Sequence, residues 1–282
     1  MTNAERLRLA AEALADISDT PRLDAEILLA HATGLGRARL LADNQEPYAA
    51  REFETLLERR LNHEPIAYIF GEWYVFTRRV QVRPPLLVPR PEPEHHVECA
   101  LDFIRSRELI EPRVLDLCTG TGCVAAAIAR NGRGARVTAT DIHLVALEVA
   151  ARNAQRYRLN LEIIESDLFA GVPSVPRYDI IVSNPPYVPD GQWESLSSVI
   201  TKHEDPSALL AGPDGLDCIR KIVTEASGYL KPGGLLALEM GEEQGEAVSA
   251  LFRKAGFDGV CVAKDLAGHD RIVRGTNPFD TG

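Results

Sequence analysis

The chain has 282 residues, enough for one large or two smaller domains, and 45% of them are hydrophobic, which supplies a core. A formal net charge of -10 and a pI near 5.3 argue against a broad nucleic-acid-binding surface, because affinity for phosphate backbones comes mainly from clustered Lys and Arg. The five cysteines (Cys99, Cys118, Cys123, Cys218, Cys261) are odd in number and lack C-x-x-C spacing, so they suggest neither a disulfide framework nor a zinc ribbon and fit a reducing cytosol.

The opening Met1-Thr2-Asn3-Ala4-Glu5-Arg6-Leu7-Arg8 has no apolar h-region, and no run approaches the ~20 apolar residues of a membrane span. Leu7, Ala10, Ala11, Leu14 and Ile17 recur at helical spacing. Thr20-Pro21 reads as an N-cap and N1 pair opening a second helix closed by Gly34, and Phe53, Leu56, Leu57 and Leu61 form another amphipathic helix stopped by Pro65. Residues 1–70 are therefore expected to be a small helical domain that docks a partner or covers a pocket. From Gly71 the periodicity changes: Trp73 to Phe76 and Val80 to Val82, separated by Thr77-Arg78-Arg79, predict a hairpin, and 71–89 is read as the linker between domains. Leu86-Leu87-Val88-Pro89-Arg90-Pro91-Glu92-Pro93-Glu94 is a Pro-stiffened segment ending in acidic residues, suited to cap the helix beginning near His95 or to wall a pocket. His95 and His96 face apart on a helix with no partner cluster, so no metal is expected.

From residue 90 to 282 strand and helix alternate, which predicts a doubly wound α/β sheet. Val114-Leu115-Asp116-Leu117 runs into Cys118-Thr119-Gly120-Thr121-Gly122, a turn whose glycines let backbone N–H groups approach a ligand. The next strand ends in Asp141, about 20 residues on, a carboxylate suited to ribose hydroxyls. Leu161 to Phe169 predicts a third strand, whose Asp167 is placed to accept from an adenine amino group while Phe169 offers the ring an apolar face. The buried strand Tyr178-Asp179-Ile180-Ile181-Val182 then delivers Ser183-Asn184-Pro185-Pro186-Tyr187. The prolines fix φ and donate no N–H, so the Asn184 side-chain oxygen and the Pro185 carbonyl are free as acceptors for a planar NH2 group, with Tyr187 as an aromatic plate. Residues 188–198 read as a mobile loop and the turn-rich stretch 203–215 as a lid. Val260 to Asp265 and His269 to Arg274 close the sheet as an antiparallel pair. Each feature alone has a plainer reading, a tight βα turn, a helix N-cap or a proline-rich turn; their convergence at the carboxyl ends of four strands makes one ligand site.

Together these residues resemble the class I S-adenosylmethionine-dependent methyltransferases, and most closely the protein N5-glutamine methyltransferases that act on peptide-chain release factors (HemK/PrmC type). The resemblance extends nearly end to end, through Asp24-Ala25-Glu26-Ile27-Leu28-Leu29-Ala30, Glu64-Pro65-Ile66-Ala67-Tyr68-Ile69-Phe70-Gly71, Val88-Pro89-Arg90-Pro91-Glu92 and Gly268-His269-Asp270-Arg271. It implies a seven-stranded Rossmann-like catalytic domain joined by a hairpin to a helical domain. It also implies that residues 118–122 wrap the methionine part of S-adenosylmethionine, that Asp141 holds the ribose and Asp167 with Phe169 the adenine, and that residues 184–187 hold the glutamine amide of the release factor's Gly-Gly-Gln loop. Cys118 stands where the family usually has Gly, and Pro93 where it usually has Thr. A cytoplasmic monomer with no direct nucleic-acid or membrane binding is expected. Two rival readings are a nucleobase or ribosomal RNA amino-methyltransferase using the same pocket, and a non-catalytic binding module built on the cofactor fold.

Overall fold

The computed structural model describes residues 2–42, 50–75, 78–89, 93–175, 177–265 and 267–279. They form two compact units, Met1–Gly71 with Leu196–Glu204, and Glu72–Ser195 with Asp205–Gly282. Arg90, Pro91 and Glu92, together with Phe76 and Thr77, lie outside the described residues, and so does the side chain of Pro93.

In the first unit α1 (Asn3–Ala13) opens with a capping box, the Thr2 hydroxyl accepting from the Glu5 N–H while Glu5 accepts from the Thr2 N–H. It is followed by α2 (Pro21–Thr33), α3 (Arg37–Ala42), α4 (Ala50–Leu61) and α5 (Ile66–Phe70). Pro21 sits in the first turn of α2 as expected, though the Thr20 side chain makes no cap bond, and Gly34 closes the helix at φ 67°. The apolar stripes meet in a core of Leu7, Leu14, Leu28, Leu29, Leu40 and Phe53. One charged pair is buried beside it, Arg60 Nε at 2.9 Å from Asp24 Oδ2. The short helix α9 (Ser198–Thr201) belongs to this unit: Ser198 Oγ lies 2.6 Å from His63 Nδ1, and His203 Nε2 lies 3.2 Å from the Asn62 carbonyl.

The second unit begins with a hairpin of β1 (Glu72–Val75) and β2 (Arg78–Gln81). Val75 pairs with Arg78, so Arg78 and Arg79 stand in the second strand rather than in the turn. After α6 (Pro93–Ser106) the chain alternates through β3 (Arg113–Leu117), α7 (Cys123–Asn131), β4 (Arg136–Asp141), α8 (Leu144–Arg156), β5 (Leu161–Glu165) and β6 (Tyr178–Ser183). It ends with α10 (Asp217–Glu225), β7 (Leu230–Glu239), α11 (Gly245–Lys254), β8 (Asp258–Lys264) and β9 (Asp270–Thr276). The sheet has seven strands in the order β5-β4-β3-β6-β7-β9-β8, with β9 antiparallel to both neighbours. Helices cover both faces, so the central strands are apolar: Val114, Leu115 and Leu117 in β3, interrupted by Asp116, and Ile180, Ile181 and Val182 in β6 are all 0% exposed. Strand order reverses between β3 and β6, and this switch point opens the crevice at their carboxyl ends.

The stretch expected to be a mobile loop carries regular structure. A 3-10 helix spans Asp190–Ser195, and Val188 bridges Leu210 in a parallel β-bridge. No helix among the described residues is long and apolar enough to cross a membrane.

Candidate functional site

A cavity of about 500 Å3 lies over the carboxyl ends of β3, β4 and β6 and the turn after β5. Cys118, Thr119, Gly120, Thr121, Asp141, Asp167, Asn184, Pro185, Pro186 and Tyr187 all line it. Two residues of the expected set do not. Phe169 is 1% exposed and stacks on Tyr229 with ring centroids 4.3 Å apart, inside the hydrophobic core. Leu168, in the turn after β5 at a left-handed φ of 50°, lines the cavity wall in its place. Gly122 lies behind the wall as the N-cap of α7: at φ 75°, a Cβ there would come within 2.8 Å of the Ala150 Cβ, so glycine is what lets α7 and α8 pack.

The turn after β3 is held by side chains from two strands. Asp116 is 2% exposed, and its Oδ2 accepts from the Thr119 hydroxyl at 2.6 Å and from the Ala125 N–H at 3.1 Å. Burial pushes this carboxyl up to about 7, against those two hydrogen bonds. Asp141 accepts from the Gly120 N–H through Oδ2 and from the His143 N–H through Oδ1, both at 2.9 Å. Each oxygen accepts one of these bonds and keeps a lone pair for a ligand hydroxyl. A Cβ built on Gly120 would meet nothing within 4 Å, so the turn presents bare backbone to the cavity. Cys118 adopts φ 57°, the left-handed region that favours glycine. Its thiol is held above its ordinary value by the hydrogen bond with Cys218 and by burial, so it stays protonated.

The segment after β6 is fastened at both sides. The Ser183 hydroxyl donates to the Leu117 carbonyl at 2.7 Å, and the Tyr187 hydroxyl donates to Glu239 Oε1 at 3.1 Å. Gln244 Nε2 donates to the Tyr187 carbonyl at 3.0 Å, and that carbonyl lies 2.3 Å from where a Cβ on Gly215 would stand, so the close approach requires glycine. Asp116, Glu239, Asp217, Leu168 and Lys221 also line the cavity and went unnoticed in the sequence. Of these only Asp116 carried a signal, a carboxylate in the middle of an apolar strand. Five acidic side chains against Lys221 make a lining suited to a cationic ligand. No group of three or more His, Cys, Asp or Glu able to hold a metal occurs among the described residues.

The chain matches the family model described as the PrmC N-terminal domain over residues 5–71 and that of the Methyltransferase small domain over residues 101–202. The release factor glutamine methyltransferase of Cereibacter sphaeroides is 41% identical to it, with 99% of each chain covered. That of Salmonella typhimurium is 40% identical over 92% of this chain and 93% of its own, and that of Rhodopirellula baltica 37% identical over 91% and 89%. Among solved structures, a methyltransferase from Pyrococcus furiosus shares the fold, with a TM-score of 0.53 at 20% identity over 80% of this chain and all of its own.

Proposed function

The chain belongs to the release factor glutamine methyltransferase family, and on that premise we propose that it transfers a methyl group from S-adenosylmethionine to the side-chain amide nitrogen of the glutamine in the Gly-Gly-Gln loop of a peptide-chain release factor. The observation that carries this reading is the meeting of Asp141, the bare turn at Gly120 and residues 184–187 on one acidic cavity of about 500 Å3. The cavity lies within the 300–1,000 Å3 range of cofactor sites.

S-adenosylmethionine, when bound, supplies an electrophilic methyl group on a sulfonium centre and brings positive charge into the site. The lone pairs left on Asp141 would hold two ribose hydroxyls, Asp167 would accept from the adenine amino group, and Leu168 would give the ring the apolar contact first assigned to Phe169. The backbone at Gly120 and the Thr119 and Thr121 side chains flank the amino-acid end. A glutamine amide is a poor nucleophile because its nitrogen lone pair is delocalised into the carbonyl. The Asn184 side-chain oxygen and the Pro185 carbonyl would accept its two hydrogens and Tyr187 would pack on its face, orienting the nitrogen for attack. The chain thus acts by positioning and preorganised dipoles: the methyl would leave sulfur as S-adenosylhomocysteine forms, and the nitrogen, acidic once methylated, would shed one of its protons without a strong general base.

Residues 1–70 serve as a docking surface for the release factor, 71–89 as a linker and 90–282 as the catalytic part. The enzyme works as a cytoplasmic monomer without direct nucleic-acid contacts, consistent with its net charge of -10. Radiolabelled S-adenosylmethionine incubated with the full-length protein should label a folded release factor, and changing the glutamine of the Gly-Gly-Gln loop should abolish the label. Label in total RNA or DNA and none in the factor would overturn the glutamine reading in favour of a nucleobase acceptor.

A further inference from the structure

His96 has no role in the chemistry above, yet it is 0% exposed in α6 and reaches the acceptor segment. Its Nε2 lies 3.0 Å from the Ser183 carbonyl oxygen. A carbonyl has no proton to give, so Nε2 carries the hydrogen and donates. Burial lowers the ring's basicity to about 4, so it is neutral at pH 7 with that one N–H committed to Ser183. Its other nitrogen, Nδ1, stands 3.5 Å from Glu239 Oε2, and Glu239, 4% exposed, accepts through Oε1 from the Tyr187 hydroxyl.

Ser183 and Tyr187 flank Asn184, Pro185 and Pro186 in the chain. The two side chains that hold these flanks lie against each other, although they come from α6 and from the end of β7. Burying a histidine and a carboxylate is expensive, and both sit directly behind the segment. The prolines already fix two φ angles, so most of the remaining freedom of the segment lies at the Ser183-Asn184 peptide plane and at Tyr187. His96 holds that plane through the Ser183 carbonyl, and Glu239 holds the Tyr187 ring.

The geometry points to His96 and Glu239 as a positioning pair for methyl transfer: neither touches the amide, and together they hold Asn184 and Tyr187 where the glutamine nitrogen must be presented. This inference rests on the reading of residues 184–187 as the acceptor pocket. Its consequence for His96, which does not line the cavity and contacts neither the turn at Gly120 nor Asp141, is a separation between turnover and cofactor affinity.

The test uses the full-length protein, radiolabelled S-adenosylmethionine and a folded release factor. His96→Leu should lower kcat roughly 10–100-fold, the loss expected when reacting groups are misplaced by a fraction of an ångström to an ångström, with cofactor Kd within about threefold of wild type. His96→Gln, whose Nε2 can again donate to the Ser183 carbonyl, should recover kcat to within about threefold. If His96→Leu does not fold, Tyr187→Phe still decides the Glu239 half, since it deletes one oxygen and should by itself lower kcat about tenfold or more. Wild-type kcat in folded His96→Leu, equal loss in the Leu and Gln variants, or wild-type kcat in Tyr187→Phe would each overturn the inference. If the wild-type protein labels no release factor, the acceptor reading itself fails. If it does, and Asn184→Ala abolishes the label while His96→Leu leaves it intact, only the positioning pair fails.

Discussion

The side chain of Asn153 pairs with the backbone of Gln81 as a neighbouring strand would: its Oδ1 accepts the Gln81 N–H at 2.7 Å and its Nδ2 donates to the Gln81 carbonyl at 3.2 Å. The same Nδ2 donates to the Thr121 carbonyl at 2.8 Å, so one fully buried amide on α8 joins the edge of the hairpin to the turn beneath the cavity. Asn153→Ala would leave an N–H and two carbonyls without this partner, and unmade buried hydrogen bonds cost about 1–3 kcal/mol each where water cannot replace them. The expected outcome is a destabilisation of roughly 2–4 kcal/mol in denaturant unfolding together with weaker cofactor binding, because Thr121 loses its anchor. A loss of stability with unchanged cofactor Kd would show that the turn keeps its shape without Asn153.

Asp141→Ala should weaken S-adenosylmethionine binding by about 1–3 kcal/mol, through loss of the ribose acceptor and release of the Gly120 and His143 N–H groups. The far-ultraviolet circular dichroism of the variant should match wild type. Equal dissociation constants in calorimetric titration would remove Asp141 from the site.

Asn184→Ala should depress the rate of methyl transfer by roughly 10²–10³ and leave cofactor affinity within a few-fold, because the lost acceptor addresses the incoming amide. Asn184→Asp keeps an acceptor and adds a charge, so reduced rather than abolished transfer is expected. Single-turnover rates of the three proteins against one release factor check both statements, and a wild-type rate in Asn184→Ala would end the proposed role.

Asp116 sets a pH dependence of stability. The unfolded carboxyl releases its proton near 3.8 and the folded one near 7. Between those values the folded state holds more protons, so stability falls as pH rises through the window and is level above it. At 1.36 kcal/mol per pH unit the loss is about 4 kcal/mol at most. Asn at this position can still accept from Thr119 and Ala125 through its oxygen. Asp116→Asn should therefore raise Tm by several degrees relative to wild type at pH 8 and change it little at pH 4. It should also weaken S-adenosylmethionine binding, since one anion facing the cationic ligand is gone. Equal Tm shifts at the two pH values would show that the carboxyl is ionised in the folded protein across the range.

Much of this architecture can be read from period and punctuation. The apolar residues of β3 and β6, the turn at 118–122, and the carboxylate at the end of β4 stand out because each depends on neighbours only a few residues away. What could not be read depends on where the chain leaves regular structure or on distant partners. Nothing beside Phe169 in the sequence shows that Leu168 takes a left-handed φ or that the Phe169 ring stacks on Tyr229 in the core. Glu239 looks like one more residue at the end of a buried strand until Tyr187, 52 residues earlier, is found against it. Asn153 gives no sign in an amphipathic helix that its amide serves a residue 72 positions away.

The helical unit is discontinuous in sequence, since Leu196–Glu204 completes it. At a synthesis rate of about 5–20 residues per second, residue 196 leaves the ribosomal peptidyl transferase centre roughly 6–25 s after residue 71. The nascent helices therefore wait with the Asn62-His63 corner lacking its Ser198 and His203 partners while β3, β4, β5 and β6 are made. Vectorial synthesis cannot finish the first unit first. A gene fragment cut after residue 71 encodes the same unfinished state permanently, so an isolated helical piece should be less stable than the unit in the whole protein.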